Sequence, residues 1–402
     1  MNIETVTVPD NQHDCLLPHI DFAHEDVPDL HALLASIRHV APIVPIKYWG
    51  ARRMLIHRHD LLKQAWLDDE SFRSADAYRE IAEPSMGRTI QVMFGEEHRR
   101  SRFLVSGQFT PKALRDLRES LVERVVHELL DRIEGEAEVD LVSALTQPFP
   151  FRVITRLIDL PVDDEPKFLS WAVKLLDYPW DPEGAVAAKD AFTNYLSQVL
   201  AERRANPGTD LLSRLAQAEL DGERLSDEEI FSFCRVLFPA GSDTTYKAFG
   251  SLLLRLLRDP ELRAMSQESD DMRRRIVLES LRLEPPVPIL PRVCSKDIVL
   301  GGIALKAGEP LMYGIALANR DPEVFPEPER FDPARKNLGM ALTFGQGEHH
   351  CIGRMLALAE MEIGIKAVFE RFPDMALIED RPSEIVLASL RGPRDLWVRP
   401  GG

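Results

Sequence analysis

The chain has 402 residues, 45% hydrophobic and 28% charged, with a formal charge of −16. Length and balance suit a globular protein that buries a large core and can enclose a small molecule. Its acidic surface repels nucleic acid and anionic lipid, which argues against both as partners.

The N-terminal stretch, Met1 to Phe22, has no apolar run long enough for a signal peptide or a membrane span. The expected setting is therefore soluble, cytoplasmic and membrane-free. Asp29 to His39 reads as a short helix. Ile43–Ile46 and Arg53–Ile56 flank Trp49-Gly50-Ala51, a hairpin pattern. Asp60 to Asp68 is a second short helix. Residues 71–94, with Pro84 and Gly87, read as a long irregular loop, which inside a compact protein is usually functional. Gly95 opens a helix that Gln108-Phe109-Thr110-Pro111 closes. His98 and Arg102 share one face of it, by themselves an ordinary solvated basic face.

Residues 112–256 read as mainly helical. Helices are expected from Lys112, from Pro148-Phe149-Pro150, over Asp163–Tyr178 and over Pro182–Asn206, with a turn at Asn206–Asp210. Ser226 and Glu229 form a capping box that opens a long apolar helix, about 227–258, ended by Asp259-Pro260. Pro239-Ala240-Gly241-Ser242-Asp243-Thr244-Thr245 interrupts it. Proline removes a backbone N–H, and glycine permits close approach of another molecule. Thr244 is placed to bond the Ala240 carbonyl one turn back and open the helix locally. A structural kink is the plain reading.

Asp271 to Leu283 is another helix, holding Glu279 and Arg282 at i,i+3, a pair that on a surface is worth little. Pro286 to Arg292 is extended. Ile298–Leu300 and Pro310–Gly314 are expected to form a small sheet. The tail, Ile385 to Val398, reads as a final hairpin turning near Arg391-Gly392-Pro393.

The cysteines at 15, 234, 294 and 351 show no pairing pattern, which argues against a disulfide framework or structural zinc and fits a reducing compartment. Cys351 differs from the others in its surroundings. It lies in Phe344-Gly345-Gln346-Gly347-Glu348-His349-His350-Cys351-Ile352-Gly353, just before a run rich in Ala, Leu, Met and Glu that reads as a helix over about 352–371. Free N–H groups and the positive dipole end favour an anion at a helix start, and a thiolate is such an anion. Gly345 and Gly347 allow a tight loop, and Phe344 shields one side. A lone cysteine is ordinarily a buried small hydrophobe; glycine spacing and helix start tip this one toward a metal-ligating thiolate.

This decapeptide resembles the cysteine-ligand loop of the cytochrome P-450 family, the haem-thiolate monooxygenases, whose pattern is Phe-x-x-Gly-x-His-x-Cys-x-Gly. Phe344, Gly347, His349, Cys351 and Gly353 fill every fixed position. Glu348 stands where relatives often carry a small residue or proline. Further matches follow in the family's order. His98 and Arg102, followed by Phe-Thr-Pro, resemble the haem-propionate helix, and Arg292 resembles a third propionate donor. Ala240 to Thr245 resembles the oxygen-binding groove. Glu279, Arg282 and Arg330 resemble a buried structural triad, and Asn319 to Pro333 the meander before the cysteine loop.

The resemblance implies one domain over residues 1–402, mainly α with a small β region, with haem b held between the long central helix and the cysteine-loop helix. Cys351 is then the axial iron ligand. His98, Arg102, Ala240, Gly241, Arg292, Phe344, Gly345 and His349 surround the cofactor, and Asp243 and Thr244 handle protons. The implied reaction inserts one atom of O2 into a small to medium hydrophobic substrate. Its electrons come from a separate ferredoxin, or less often a flavodoxin, because the chain has no dinucleotide fingerprint, flavin segment or iron–sulfur cluster of its own. Arg99, Arg100, His350 and Arg354, with Lys112 and Arg115 nearby, form the basic patch expected to receive that donor. An H2O2-driven peroxygenase and a non-catalytic haem protein are the alternatives, and the Asp243-Thr244 pair weighs against both. The substrate wall is expected from Ile81, Ile90, Val92, Met93, Phe94, Leu175, Val287, Ile289 and Leu290, with Arg79, Arg88 and Arg391 as candidates for a substrate carboxylate.

Overall fold

A computed structural model describes residues 15–110, 121–161, 164–381 and 383–401. The helix expected from Lys112, and with it Arg115, lies outside the described residues. The central helix, Asp227–Arg258, is the axis of the fold. Ser226 Oγ accepts the Glu229 N–H and Glu229 returns a carboxylate to the Ser226 N–H, so both ends of the capping box close. Asp227, Glu228 and Glu229 fill the first turn and Arg255 and Arg258 the last, each complementing the helix dipole. Most of its length is buried on all sides, as its apolar composition requires.

The expected interruption at Pro239 does not occur: the helix runs unbroken through Pro239 to Thr245. Phe238, next to it, is locked among Phe151, Phe168 and Phe192, with ring centroids 5.5–5.8 Å apart. Packing on that scale outweighs one missing hydrogen bond. Helices Pro148–Leu157, Glu165–Leu176 and Pro182–Ala205 surround the N-terminal half of the axis. The cysteine-loop helix, Arg354–Arg371, crosses the other side, starting two residues later than expected.

The main sheet has four strands in the order Ile43–Tyr48, Ala51–Ile56, Pro310–Gly314, Ile289–Val293. The first two form the expected hairpin. Trp49 and Gly50 both have positive φ, +53° and +69°, and the Asp21 carboxylate accepts both N–H groups at 3.0 and 2.6 Å. Ala51–Ile56 runs parallel to Pro310–Gly314, with Met54 opposite Leu311, and Ile289–Val293 closes the sheet antiparallel.

Several expectations need correction. Ile298–Leu300 pairs with Ile303–Leu305, not with Pro310–Gly314. Residues 71–94 are not irregular throughout, because helices Ser74–Ile81 and Glu83–Met86 occupy them. The tail hairpin is shorter: Ile385–Val386 pairs with Gly392–Pro393, so Gly392 lies in a strand. The last strand, Trp397–Arg399, joins Ala376–Leu377 and Val139–Asp140 instead. Arg330 is not the third member of the buried triad. Its side chain is exposed and pairs with Glu327, whereas Arg335 reaches Glu279 at 3.0 Å with 6% of its side chain exposed. Among the described residues no helix is long and apolar enough to cross a membrane.

Candidate functional site

The cysteine loop owes its shape to two glycines with positive φ, Gly345 at +67° and Gly347 at +71°. A Cβ at 345 would lie 2.9 Å from the Trp66 ring, and one at 347 would lie 2.6 Å from the Trp66 carbonyl oxygen. The loop therefore folds directly onto Trp66. The Cys351 N–H donates to the Phe344 carbonyl at 2.8 Å, closing it. The N–H groups of Gly353 and Arg354 donate toward the sulfur. Burial nevertheless pushes the thiol up, and those donors with Arg102 and Arg354 offset it only in part.

Cys351 is deep in the protein yet keeps open surface, which faces a cavity. Across that cavity the central helix presents Ala240, Gly241 and Thr244. Ala240 likewise has open surface within the fold. A Cβ at Gly241 would lie 2.6 Å from Ile154 Cδ1, so this glycine serves the close approach of helix Pro148–Leu157. Thr244 Oγ1 donates to the Ala240 carbonyl at 2.8 Å, as the spacing suggested. Asp243 is beside Thr244 but is not a wall residue. Burial raises its carboxyl to about 6, with Lys247 and Ser242 opposing and Asp177 adding to the rise.

One end of the cavity is rich in donors. Arg102, Arg292 and His349 line it, and His98 stacks on His349 with ring centroids 4.1 Å apart. Both ring nitrogens of His98 are buried without a hydrogen-bond partner. Burial and the neighbouring His349 and Arg102 charges hold His98 down to about 4. Arg102 donates to the His350 carbonyl at 2.5 Å. The Arg292 guanidinium lies over the Trp66 and Tyr313 rings at 4.9 and 5.0 Å and hydrogen-bonds Tyr78. Glu348 stands 3.6 Å from Arg99 and 3.7 Å from His98. Buried donors without acceptors are costly, so this end is built to receive an anion. A flat group with an anionic edge and a soft metal fits it: donors at the edge, sulfur on one face, a small-residue helix on the other.

Ile90, Val287 and Leu290 lie on the cavity wall. Ile81, Val92, Met93, Phe94, Leu175 and Ile289 do not line it. Ile289, for example, is packed in the core beside the main sheet. Arg391 is unavailable to a substrate: it is buried, bonded to the carbonyls of Val27, Pro28 and Leu387, and paired with Glu284 at 3.2 Å. Arg79 and Arg88 are exposed and paired with nearby acids. Arg100 also leaves the basic patch, since Glu223 and Glu229 hold it at 2.6 and 2.8 Å.

Sequence reading missed Trp66, Ile154, Phe233 and Leu237 on the wall, residues that only the tertiary fold brings together. It also missed Glu360, which lies nine residues after the cysteine on the adjoining helix. Burial alone pushes that carboxyl well above its usual range.

The model of the cytochrome P-450 family matches residues 167–385. The chain is 34% identical over 359 residues to the erythromycin C-12 hydroxylase of Saccharopolyspora erythraea, covering 86% of this chain and 88% of that one. It is 30% identical over 417 residues to the 6-deoxyerythronolide B hydroxylase of the same organism, covering 98% and 100%. Among solved structures, the cytochrome P-450 PksS of the bacillaene polyketide synthase of Bacillus subtilis 168 superposes with a TM-score of 0.85 at 30% identity, covering 93% and 97%. The chain therefore belongs to the cytochrome P-450 family, oxidoreductases that bind haem b through a cysteine thiolate.

Proposed function

We propose that Cys351 is the haem ligand of this monooxygenase, and that its substrate is a small to medium hydrophobic molecule taken up on the side of the cavity lined by Ala240, Gly241 and Thr244. The observation that carries the reading is the opposition of the Cys351 sulfur and the Ala240–Thr244 stretch across one cavity. The chain acts as one domain over residues 1–402, in the cytoplasm. Haem bound there would supply the O2 activation of a monooxygenation, in which one oxygen atom enters the substrate and the other leaves as water at the cost of two electrons and two protons. The chain's own residues supply everything else. Arg102 and Arg292 would neutralise the propionates and His98 would donate a hydrogen bond to one, with Phe344, Gly345 and His349 shaping the loop side. Ile90, Val287, Leu290 and Phe233 give the substrate apolar walls that exclude water. Turnover with NADH and a ferredoxin system, compared with turnover on H2O2 alone, tests the reading. Product from H2O2 alone, with none from the electron chain, would make the protein a peroxygenase.

Thr244 Oγ holds a proton at the cavity surface, and Asp243 behind it exchanges protons with the outside. Thr244→Ala is expected to bind substrate and consume NADH as before. Product per NADH should fall several-fold as electrons divert to peroxide or water. Undiminished coupling would assign proton handling to another group.

Asp243 adds a pH signature. Its carboxyl, raised to about 6, is mostly ionised at pH 7 and gains its proton as pH falls through that value. Product formation should therefore change around pH 6, and Asp243→Asn should flatten that step while lowering the rate. An unaltered pH profile in the variant would remove Asp243 from the proton route.

The electron donor is a ferredoxin. This chain is acidic, so an acidic donor would need a local basic patch to dock. Arg354 and Arg99 are exposed beside the ligand loop, Arg99 within 3.6 Å of Glu348, and the loop's His350 carbonyl accepts from Arg102. Arg99→Glu should slow reduction by ferredoxin without altering substrate affinity. The wild-type rate should decline as salt rises past about 0.1 M. Stopped-flow reduction checks both, and a rate indifferent to salt and charge moves the dock elsewhere.

A further inference from the structure

The segment 84–88 is tied to three helices by four side-chain hydrogen bonds. Lys189 Nζ donates to the Pro84 carbonyl at 3.0 Å, and Ser85 Oγ to the Leu175 carbonyl at 2.9 Å. Ser232 Oγ donates to the Arg88 carbonyl at 3.1 Å. The fourth comes from Arg235, on the central helix one residue before the wall residue Val236. Its Nη1 donates to the Met86 carbonyl at 3.0 Å and its Nη2 to Glu228 Oε1 at 2.7 Å.

Arg235 is 1% exposed, the one charged group in the buried run Phe231-Ser232-Phe233-Cys234-Arg235-Val236-Leu237. Such a group is costly unless its hydrogen bonds are met, and here Nη1 and Nη2 are bonded while Nε is not. Gly87 makes room for it: φ is +81°, and a Cβ there would lie 2.7 Å from Arg235 Nη1 and 2.9 Å from Glu228 Oε1. The segment thus bends around the guanidinium. Three residues further, Ile90 and Gln91 reach the cavity wall.

We propose that Arg235 is a positioning residue: by holding the Met86 carbonyl it fixes the segment 86–91 against the central helix and sets how tightly Ile90 and Gln91 close the cavity. Calling that side the substrate side rests on the monooxygenase reading; the strap itself does not. The haem-loaded protein and two variants test it. Arg235→Met keeps the bulk and removes the donors. Amide hydrogen exchange over residues 87–92 should quicken about tenfold, the scale of one lost charge-assisted hydrogen bond. Exchange over 245–256 of the same helix should be unaltered. Imidazole, used as a probe of access to the iron, should associate faster at the same haem content. Arg235→Lys should restore part of both effects. Glu228→Gln, at a side chain 61% exposed, should shift both measurements the same way by less, and it decides the matter if Arg235→Met fails to fold. Exchange and association unchanged in the variants would overturn the strap, and so would exchange rising equally over 245–256, which marks a packing role only. Failure of the monooxygenase reading would leave the exchange result standing, so the two are separable.

Discussion

Replacing Cys351 with histidine will move the absorption band of the ferrous carbon monoxide complex from the position of thiolate-ligated haem to that of histidine-ligated haem. The sulfur is the only thiol on the cavity wall among the described residues, and so the only side chain there that can ligate as a thiolate. Its loop has no slack: Gly345 and Gly347 press against Trp66, and the Cys351 N–H is tied to Phe344. A neighbouring His349 or His350 cannot swing in without breaking those contacts. A thiolate pushes electron density onto iron, and a neutral imidazole does so far less, so monooxygenase turnover should drop by orders of magnitude with the band. Cys351→Ser separates ligation from folding: if serine abolishes the thiolate spectrum while haem is still taken up, the donor-rich end alone holds the cofactor. A thiolate-type spectrum persisting in either variant would falsify the assignment and point to Cys234 or Cys294. Both are buried in hydrophobic core clusters and are not wall residues.

Local chemistry made much of this legible from sequence. The hairpin at Trp49-Gly50, the capping box at Ser226 and the glycines of the cysteine loop each specify their geometry within a few residues. Long-range choices were not legible. Arg330 and Arg335 are five residues apart in one meander, and only the path of the chain turns one toward Glu279 and the other to solvent. Pro239 carries a local signal for a break, and the aromatic cluster around Phe238 overrides it. Gly241 looks like a residue making room for a ligand, whereas its hydrogen faces Ile154 of a helix more than eighty residues away in sequence. Arg235 has no motif at all; its meaning lies in Met86 and Glu228.

Glu279→Ala is expected to prevent recovery of folded, haem-loaded protein. Glu279 and Arg282 are fully buried, and the pair is bidentate at 2.7 and 2.8 Å. Glu279 Oε1 also accepts from Arg335 Nε at 3.0 Å and from the Asp332 N–H at 2.9 Å. The two guanidiniums spend their remaining donors on the carbonyls of Asn319, Pro326, Glu327, Pro328 and Arg330. One carboxylate thus balances two cations that pin the meander to helix Asp270–Leu283. Truncating it leaves both cations uncompensated in the interior, which costs about 3–5 kcal/mol. A native protein holds only about 5–15 kcal/mol in total. The meander leads directly into the cysteine loop, joined by Asn319, whose side-chain oxygen accepts the Leu342 N–H at 2.7 Å. Loss of the cluster should therefore loosen the haem ligand as well as the fold. Arg335→Ala should cause a loss of similar kind. Arg330→Ala should cost under about 0.5 kcal/mol, because its side chain is 61% exposed and makes only a surface pair. Thermal unfolding and haem content of the three variants decide it. A severe Arg330 variant beside a benign Arg335 one would restore the partner expected from sequence and overturn the observed cluster.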